Sequence, residues 1–423
     1  MIHLDYTIKV QHENTLRVDI DISGNSACNK MIFVCAEIRM FDLRYVDGEN
    51  VFSPEAEDGI LFIGETTKSI SYSAALGAGG KHGYQGILLK DYGAFELCRA
   101  VALPHPTKYP DTETLPFDCS FTVCLPGKTE HFTTVLDSVY RVAKLRKRSI
   151  FYTSAAVTEG KVKLFMQRHD EKVVERVMQT VSYFEELFGF GLPDFRLFLL
   201  NDESKPIFAG AGDDNAAFSM KSGNERDIEL LAHRLFHAFF AQTKYAEEYF
   251  MPPYSFIEEG YASLYEILAT KQNPKKSIFS IYKRYLFYYF AKPGFKLSPA
   301  DEINLQNAPW LIEFLHYTLS PLILYAFNQK FEIFPAAKRF DELEDAGLIN
   351  SSPLFLPEFE HGYDELEATS VAELNDYEYT ISSWQGKREK TDLLQNIPPP
   401  QNSLEHKLYK ISPSLYKMIQ SAG

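Results

Sequence analysis

A chain of 423 residues with 45% hydrophobic and 24% charged residues is long enough for two or three domains and too apolar to be disordered. Its net charge of −14 excludes nonspecific binding to nucleic acid or to anionic membrane surfaces, because both need clustered cations that release counterions. The five cysteines (Cys28, Cys35, Cys98, Cys119 and Cys124) all lie in the first third without CxxC spacing. They read as reduced thiols of a cytoplasmic protein, neither a disulfide framework nor a metal cluster.

The opening MIHLDYTIKVQHENTLRVDI alternates polar and apolar residues and lacks the basic and apolar regions of a leader. No apolar run approaches the ~20 residues that span a bilayer, so no membrane partner is expected. Up to about residue 130 the signal is mostly strand: Leu4–Val10, Leu16–Ile22, Met31–Met40, Ser69–Ala75 and Phe121–Leu125, divided by turn-rich SGNS, DGEN and GAGGKHG. An antiparallel β-sandwich is expected there, with LPHPTKYPDTETLPF as an internal loop.

From Asp170 to Phe188 the apolar residues Val173, Val174, Val177, Val181, Phe184, Leu187 and Phe188 recur at helical spacing, and Gly189–Pro193 breaks the helix before a strand at Phe195–Leu200. NDESKPIFAGAGDD leads to a second strand at Ala216–Met220. Ser222 and Glu225 then form a capping box for a helix over about 226–243. A further helix is expected over about 256–269. Aromatic-rich, mainly helical sequence follows to about 332, and the aromatics near Tyr282 to Phe290 read as core. In the last ninety residues the pattern weakens, and LQNIPPPQNS reads as a linker to a short terminal helix.

His233 and His237 stand four apart on the helix over 226–243, so both imidazoles leave one face and can meet one metal ion. The bland alternative is a hydrogen-bonded histidine pair in a packed domain. Glu259, twenty-two residues on in FIEEGYASLYE, can join them if a loop with Pro252 and Pro253 folds the two helices antiparallel. Two His and one Glu leave zinc an open position for water, which is the catalytic arrangement. Glu258 reads as a solvated charge favoured at a helix start. Glu266 reads either as a support for a ligand histidine or as a surface ion-pair partner.

The stretch from Val173 to Glu266 resembles the catalytic domain of zinc aminopeptidases of the thermolysin-like (gluzincin) type, in particular the glycyl aminopeptidase family and more distantly the aminopeptidase N family. HRLFH stands where those enzymes carry HExxH. Phe256-Ile257-Glu258-Glu259-Gly260 resembles the WxxEG-type motif that supplies the third ligand. GAGDDNAAFSM resembles the Gly-rich substrate strand.

The resemblance implies a multidomain α+β protein: an N-terminal β-sandwich over 1–132, a thermolysin-like peptidase domain over 133–272 and a mainly helical region over 273–423. It implies zinc on His233, His237 and Glu259, substrate binding at Gly210, Gly212, Asp213 and Asp214, and an oxyanion-steadying tyrosine at Tyr317. It places Arg234 where the family's general base stands. A guanidinium cannot accept a proton at physiological pH, so the standard mechanism is lost. Two functions follow: a catalytically impaired homologue that keeps a cleft for a peptide or protein ligand, or an active aminopeptidase with a substitute base, Asp213, Asp214 or Glu258.

Overall fold

The computed structural model describes residues 2–359 except 13, 25–29, 35–37, 48–49, 53–59, 65–66, 77–85, 105–115, 154–156, 159, 201–208, 212–213, 221–224, 292–296, 298, 301, 304–308, 328–330 and 351–353. The chain divides into two compact units, Met1–Asp227 and Ile228–Gly423. Among the described residues no helix is long and apolar enough to cross a membrane.

Among the described residues the first unit begins with twelve strands. They are β1 (Ile2–His12), β2 (Thr15–Gly24), β3 (Lys30–Val34), β4 (Arg39–Asp47), β5 (Asn50–Phe52), β6 (Ile60–Gly64), β7 (Thr67–Ala75), β8 (Ile87–Leu88), β9 (Tyr92–Glu96), β10 (Leu103–Pro104), β11 (Phe117–Leu125) and β12 (Lys128–Leu136). Seven form one sheet in the order β12-β11-β1-β2-β7-β4-β5, and β10-β3-β6 form a second. Alternation fixes the register: Ile2, Leu4, Tyr6 and Ile8 of β1 and Phe117, Cys119, Phe121 and Val123 of β11 all face inward. A one-residue slip would turn each set outward. Phe33, Leu61 and Leu103 of the smaller sheet join the same core, which gives the expected sandwich.

Two details differ from the sequence reading. Met31–Met40 is two strands, β3 and β4, that belong to different sheets. The large sheet is mixed, since β1 pairs with β11 in parallel, Ile2 opposite Phe117. Cys98, Cys119 and Cys124 form no disulfide, and burial, with Asp118 and Asp5 nearby, pushes Cys119 up to about 12.

The first unit continues through α1 (Val139–Arg146), β13 (Ser149–Thr153), β14 (Val157–Thr158), β15 (Lys163–Met166), α2 (Glu171–Phe188), β16 (Arg196–Leu200), β17 (Ala209–Ala211) and β18 (Asn215–Ser219). The helix α2 has both expected ends. Asp170 accepts from the N–H groups of Lys172 and Val173 at 3.0 and 3.3 Å, and Gly189 adopts the left-handed conformation at φ 76° that a side chain would oppose. Its stripe of Val173, Val177, Val181 and Phe184 is buried. The strands form the order β14-β15-β16-β18-β17, parallel through β15, β16 and β18, with β17 antiparallel at the edge. The Ser222 cap lies outside the described residues.

The second unit is helical: α3 (Glu225–Phe240, its first three residues in the first unit), α4 (Ala246–Phe250), α5 (Ser255–Thr270), α6 (Pro274–Ala291), α7 (Pro309–Phe314), α8 (Ser320–Phe327) and α9 (Ala336–Asp345). A π-turn at Leu315–Leu319 joins α7 to α8 without a break, and the Ser320 N–H reaches back five residues to the Leu315 carbonyl. Helices α5 and α8 pack closely because Gly260 has no side chain. A Cβ there would lie 2.6 Å from Ser320 Cβ and 2.9 Å from Leu324 Cδ1. Tyr282, Tyr285 and Leu286 of α6 are buried, as the core reading expects. The linker and terminal helix expected near the C-terminus lie outside the described residues.

Candidate metal centre

The helix α3 buries Leu231, Ala232, Leu235, Phe236, Phe239 and Phe240, and this packing holds the turn that carries His233 and His237. Helix α5 presents Glu258, Glu259 and Glu266. Both histidines point Nε2 at a common locus. The two Nε2 atoms are 3.2 Å apart, and Glu259 Oε2 lies 3.4 Å from His233 Nε2 and 3.3 Å from His237 Nε2. These edges test the fit of a metal directly, because zinc bonds of about 2.0–2.1 Å at tetrahedral angles set ligand atoms about 3.3–3.4 Å apart. Glu259 Oε2 is buried and forms no hydrogen bond of acceptable geometry, so this buried oxygen has a use for a cation.

The outer nitrogens are committed to carboxylates. His233 Nδ1 lies 2.8 Å from Glu266 Oε2, and His237 Nδ1 lies 2.8 Å from Glu258 Oε1. This pattern assigns the Nδ1 protons to those bonds and leaves the Nε2 lone pairs to converge, which is the usual support of a metal-binding histidine. The reading of Glu258 as a solvated charge is therefore corrected: it is 8% exposed and bonded to His237. Glu266 takes the supporting role.

Proton and metal compete for these lone pairs. Burial pushes the His233 pKa down, but the contacts to Glu259 and Glu266 outweigh it and raise the value to about 9. For Glu259 burial acts upward, and His237 and His233 overcome it, holding the carboxyl well below its ordinary range.

Tyr317 sits in the π-turn with its ring centroid 5.8 Å from that of His233. Burial raises its hydroxyl well above the ordinary value, and Glu259 adds to this both by charge and by accepting the hydroxyl's hydrogen bond. The charge of Arg234 acts on the same hydroxyl in the opposite direction. Chemically, Arg234 and Tyr317 are donors at neutral pH: they can steady an anion and cannot take a proton from water.

Two acidic residues absent from the sequence reading also belong here. Glu302, 3% exposed, lies 2.5 Å from both Ser255 Oγ and His316 Nε2 and 3.4 Å from the Phe256 N–H. It thereby ties the start of α5 to the π-turn. Glu313, one turn before Tyr317, has its carboxyl raised to about 7 by burial, with His316 pulling it down. A single carboxylate in the apolar run WLIEFLHYTL was the available signal for it.

The other predicted residues lie in the first unit. Gly210 is on the edge strand β17, and Asp214 pairs with Arg148 at 2.8 Å and Arg196 at 3.8 Å. Gly212 and Asp213 lie outside the described residues.

No protein-family model and no curated protein matches the chain. Among solved structures, an aminopeptidase N family protein from Idiomarina loihiensis is similar at a TM-score of 0.54 and 9% identity, over 92% of this chain and 77% of that one. The architecture is therefore aminopeptidase N-like: a β-sheet region followed by a helical region carrying a His233, His237 and Glu259 group able to hold a metal ion.

Proposed function

We propose that the chain is a zinc-binding homologue of the gluzincin aminopeptidases, nearest in motif to the glycyl aminopeptidase type, that has lost the ordinary hydrolytic step at residue 234 and keeps a site for a peptide. The observation that carries this reading is the triangle of His233 Nε2, His237 Nε2 and Glu259 Oε2, with edges of 3.2–3.4 Å and both Nδ1 atoms anchored. A hydrogen-bonded histidine pair would not require two further carboxylates behind it.

His233, His237 and Glu259 would hold the ion, with Glu266 and Glu258 orienting the rings. Zinc in such a site polarises a peptide carbonyl and acidifies bound water. The chain's own groups then divide the remaining work: Tyr317 and Arg234 donate to an oxyanion, and neither removes a proton. A peptide in the cytoplasm is the proposed ligand.

The test is zinc content by elemental analysis of protein purified without chelators. We expect one zinc per chain, lost in His237→Ala with the fold retained by circular dichroism. Stoichiometric zinc in the folded variant would sink the assignment.

A further inference from the structure

We propose that Glu313 is the proton-transfer residue of this site and takes the role closed to Arg234. The proposal rests on the metal-site reading above and adds the missing half of the chemistry. Three observations converge. Glu313 lies four residues before Tyr317, close enough that its charge raises the pKa of the Tyr317 hydroxyl, which itself bonds to Glu259. Its Oε2 is buried and has no hydrogen-bond partner, so one carboxylate oxygen has no structural duty. The residue as a whole is only half-buried, which leaves it open to water.

Of the acids named as substitute bases, the two among the described residues are engaged. Glu258 is bonded to His237, and Asp214 is paired with Arg148 and Arg196.

The surroundings suit a group that exchanges protons. His316 on the same run is held by the buried Glu302, and its charge lowers the Glu313 pKa. From the elements packed around this turn come Glu259 of α5, at the Tyr317 hydroxyl, Arg234 of α3, whose charge reaches the same hydroxyl, and Arg284 of α6, which donates to the Tyr317 carbonyl at 3.3 Å. A base whose pKa lies near 7 is half in the accepting form at neutral pH and returns the proton readily.

The step balances without a further reactant. A water proton passes to Glu313, directly or through one intervening water, as the water oxygen bonds to the peptide carbonyl carbon. The C–N bond then breaks, and Glu313 returns the proton to the departing amine nitrogen. One water is consumed, a carboxylic acid and an amine are formed, and Glu313 is regenerated.

The test uses the full chain with saturating zinc and the p-nitroanilides of alanine, leucine, glycine and arginine. Turnover should rise with pH through about 7, because Glu313 is the accepting carboxylate only above its pKa, and should fall about 10²–10⁴-fold in Glu313→Gln with zinc content and melting temperature unchanged. A second readout needs no turnover. The infrared carboxyl band missing from zinc-free Glu313→Gln should titrate near pH 7 in the zinc-free natural chain.

Zinc-loaded protein without turnover, a Glu313→Gln variant that turns over like the natural chain, or a carboxyl band that titrates near pH 4 overturns the role of Glu313 and leaves the metal site standing. Protein that binds no zinc overturns both.

Discussion

Among the described residues, the first unit buries only neutral polar side chains (Thr67, Ser73, Ser149, Thr180 and Asn215), while the second buries His233, Glu258, Glu302 and Arg339. Burying a charge is costly unless it is paired, and each of these is: His233 with Glu259 and Glu266, Glu258 with His237, Glu302 with His316, and Arg339 with Glu342 at 3.2 Å. The first unit's buried side chains are otherwise apolar. The helical unit accepts an electrostatic cost and places two of those four, His233 and Glu258, around one point, which is the behaviour of a site rather than of a scaffold.

The largest effect should come from the apolar side. Phe121 stacks between Tyr6 at 4.4 Å and Phe132 at 4.6 Å in the sandwich core. Phe121→Ala should cost about 3–5 kcal/mol in denaturant unfolding. The loss should be the same at pH 6 and pH 8, a range over which phenylalanine and tyrosine rings carry no charge. A loss that changed with pH would break the contrast.

The charged side should respond to pH instead. His233 is raised to about 9 from an ordinary 6.5, so its stabilisation is complete below about 6.5 and disappears as pH rises through 9. Glu259 is depressed below 4.5, so its stabilisation is present above 4.5 and disappears as pH falls. Zinc-free protein should therefore melt highest between about pH 5 and 6.5 and lower at pH 9. Because zinc occupies the lone pairs that the proton leaves, the zinc-induced rise in melting temperature should be larger at pH 9 than at pH 6. A zinc-free chain that melts higher at pH 9 would remove the paired state of His233.

The smallest effects should come from behind the ligands. Glu258→Gln and Glu266→Gln keep the side-chain shape and lose the charge, and each should weaken zinc binding by about 10–100-fold in competition with a chelating dye. Unchanged affinity in both would reduce the two carboxylates to structural partners.

The sequence carried a large part of this. Alternation in β1 and β2, the capped stripe of α2 and the two motifs on α3 and α5 are local patterns, and local patterns survive in one dimension. What it missed has identifiable causes. The strand β12, KTEHFTTVL, has one fully buried residue, Leu136, so the period-2 apolar signal was absent. The parallel pairing of β1 with β11 joins segments more than a hundred residues apart, and nothing in either strand records its partner.

Glu258 was misread because the dipole alone favours an acid in the first turn of a helix, so its position called for no partner. Glu258 and Glu259 both reach the site, since the two nitrogens of His237 face different ways. Glu302 and Glu313 arrive from segments with no motif, and only the fold assembles them.

The π-turn at 315–319 has a consequence for how this chain can change. A π-turn holds one residue more than the surrounding α-helix, and removal of that residue restores a regular helix. Deleting a single residue there would rotate α8 by about 100° against α7, taking Ser320 and Leu324 away from Gly260 or Tyr317 away from Glu259. The two sets of contacts are compatible at one chain length only. This stretch should therefore tolerate exchanges of apolar side chains far better than a change in the count of its residues.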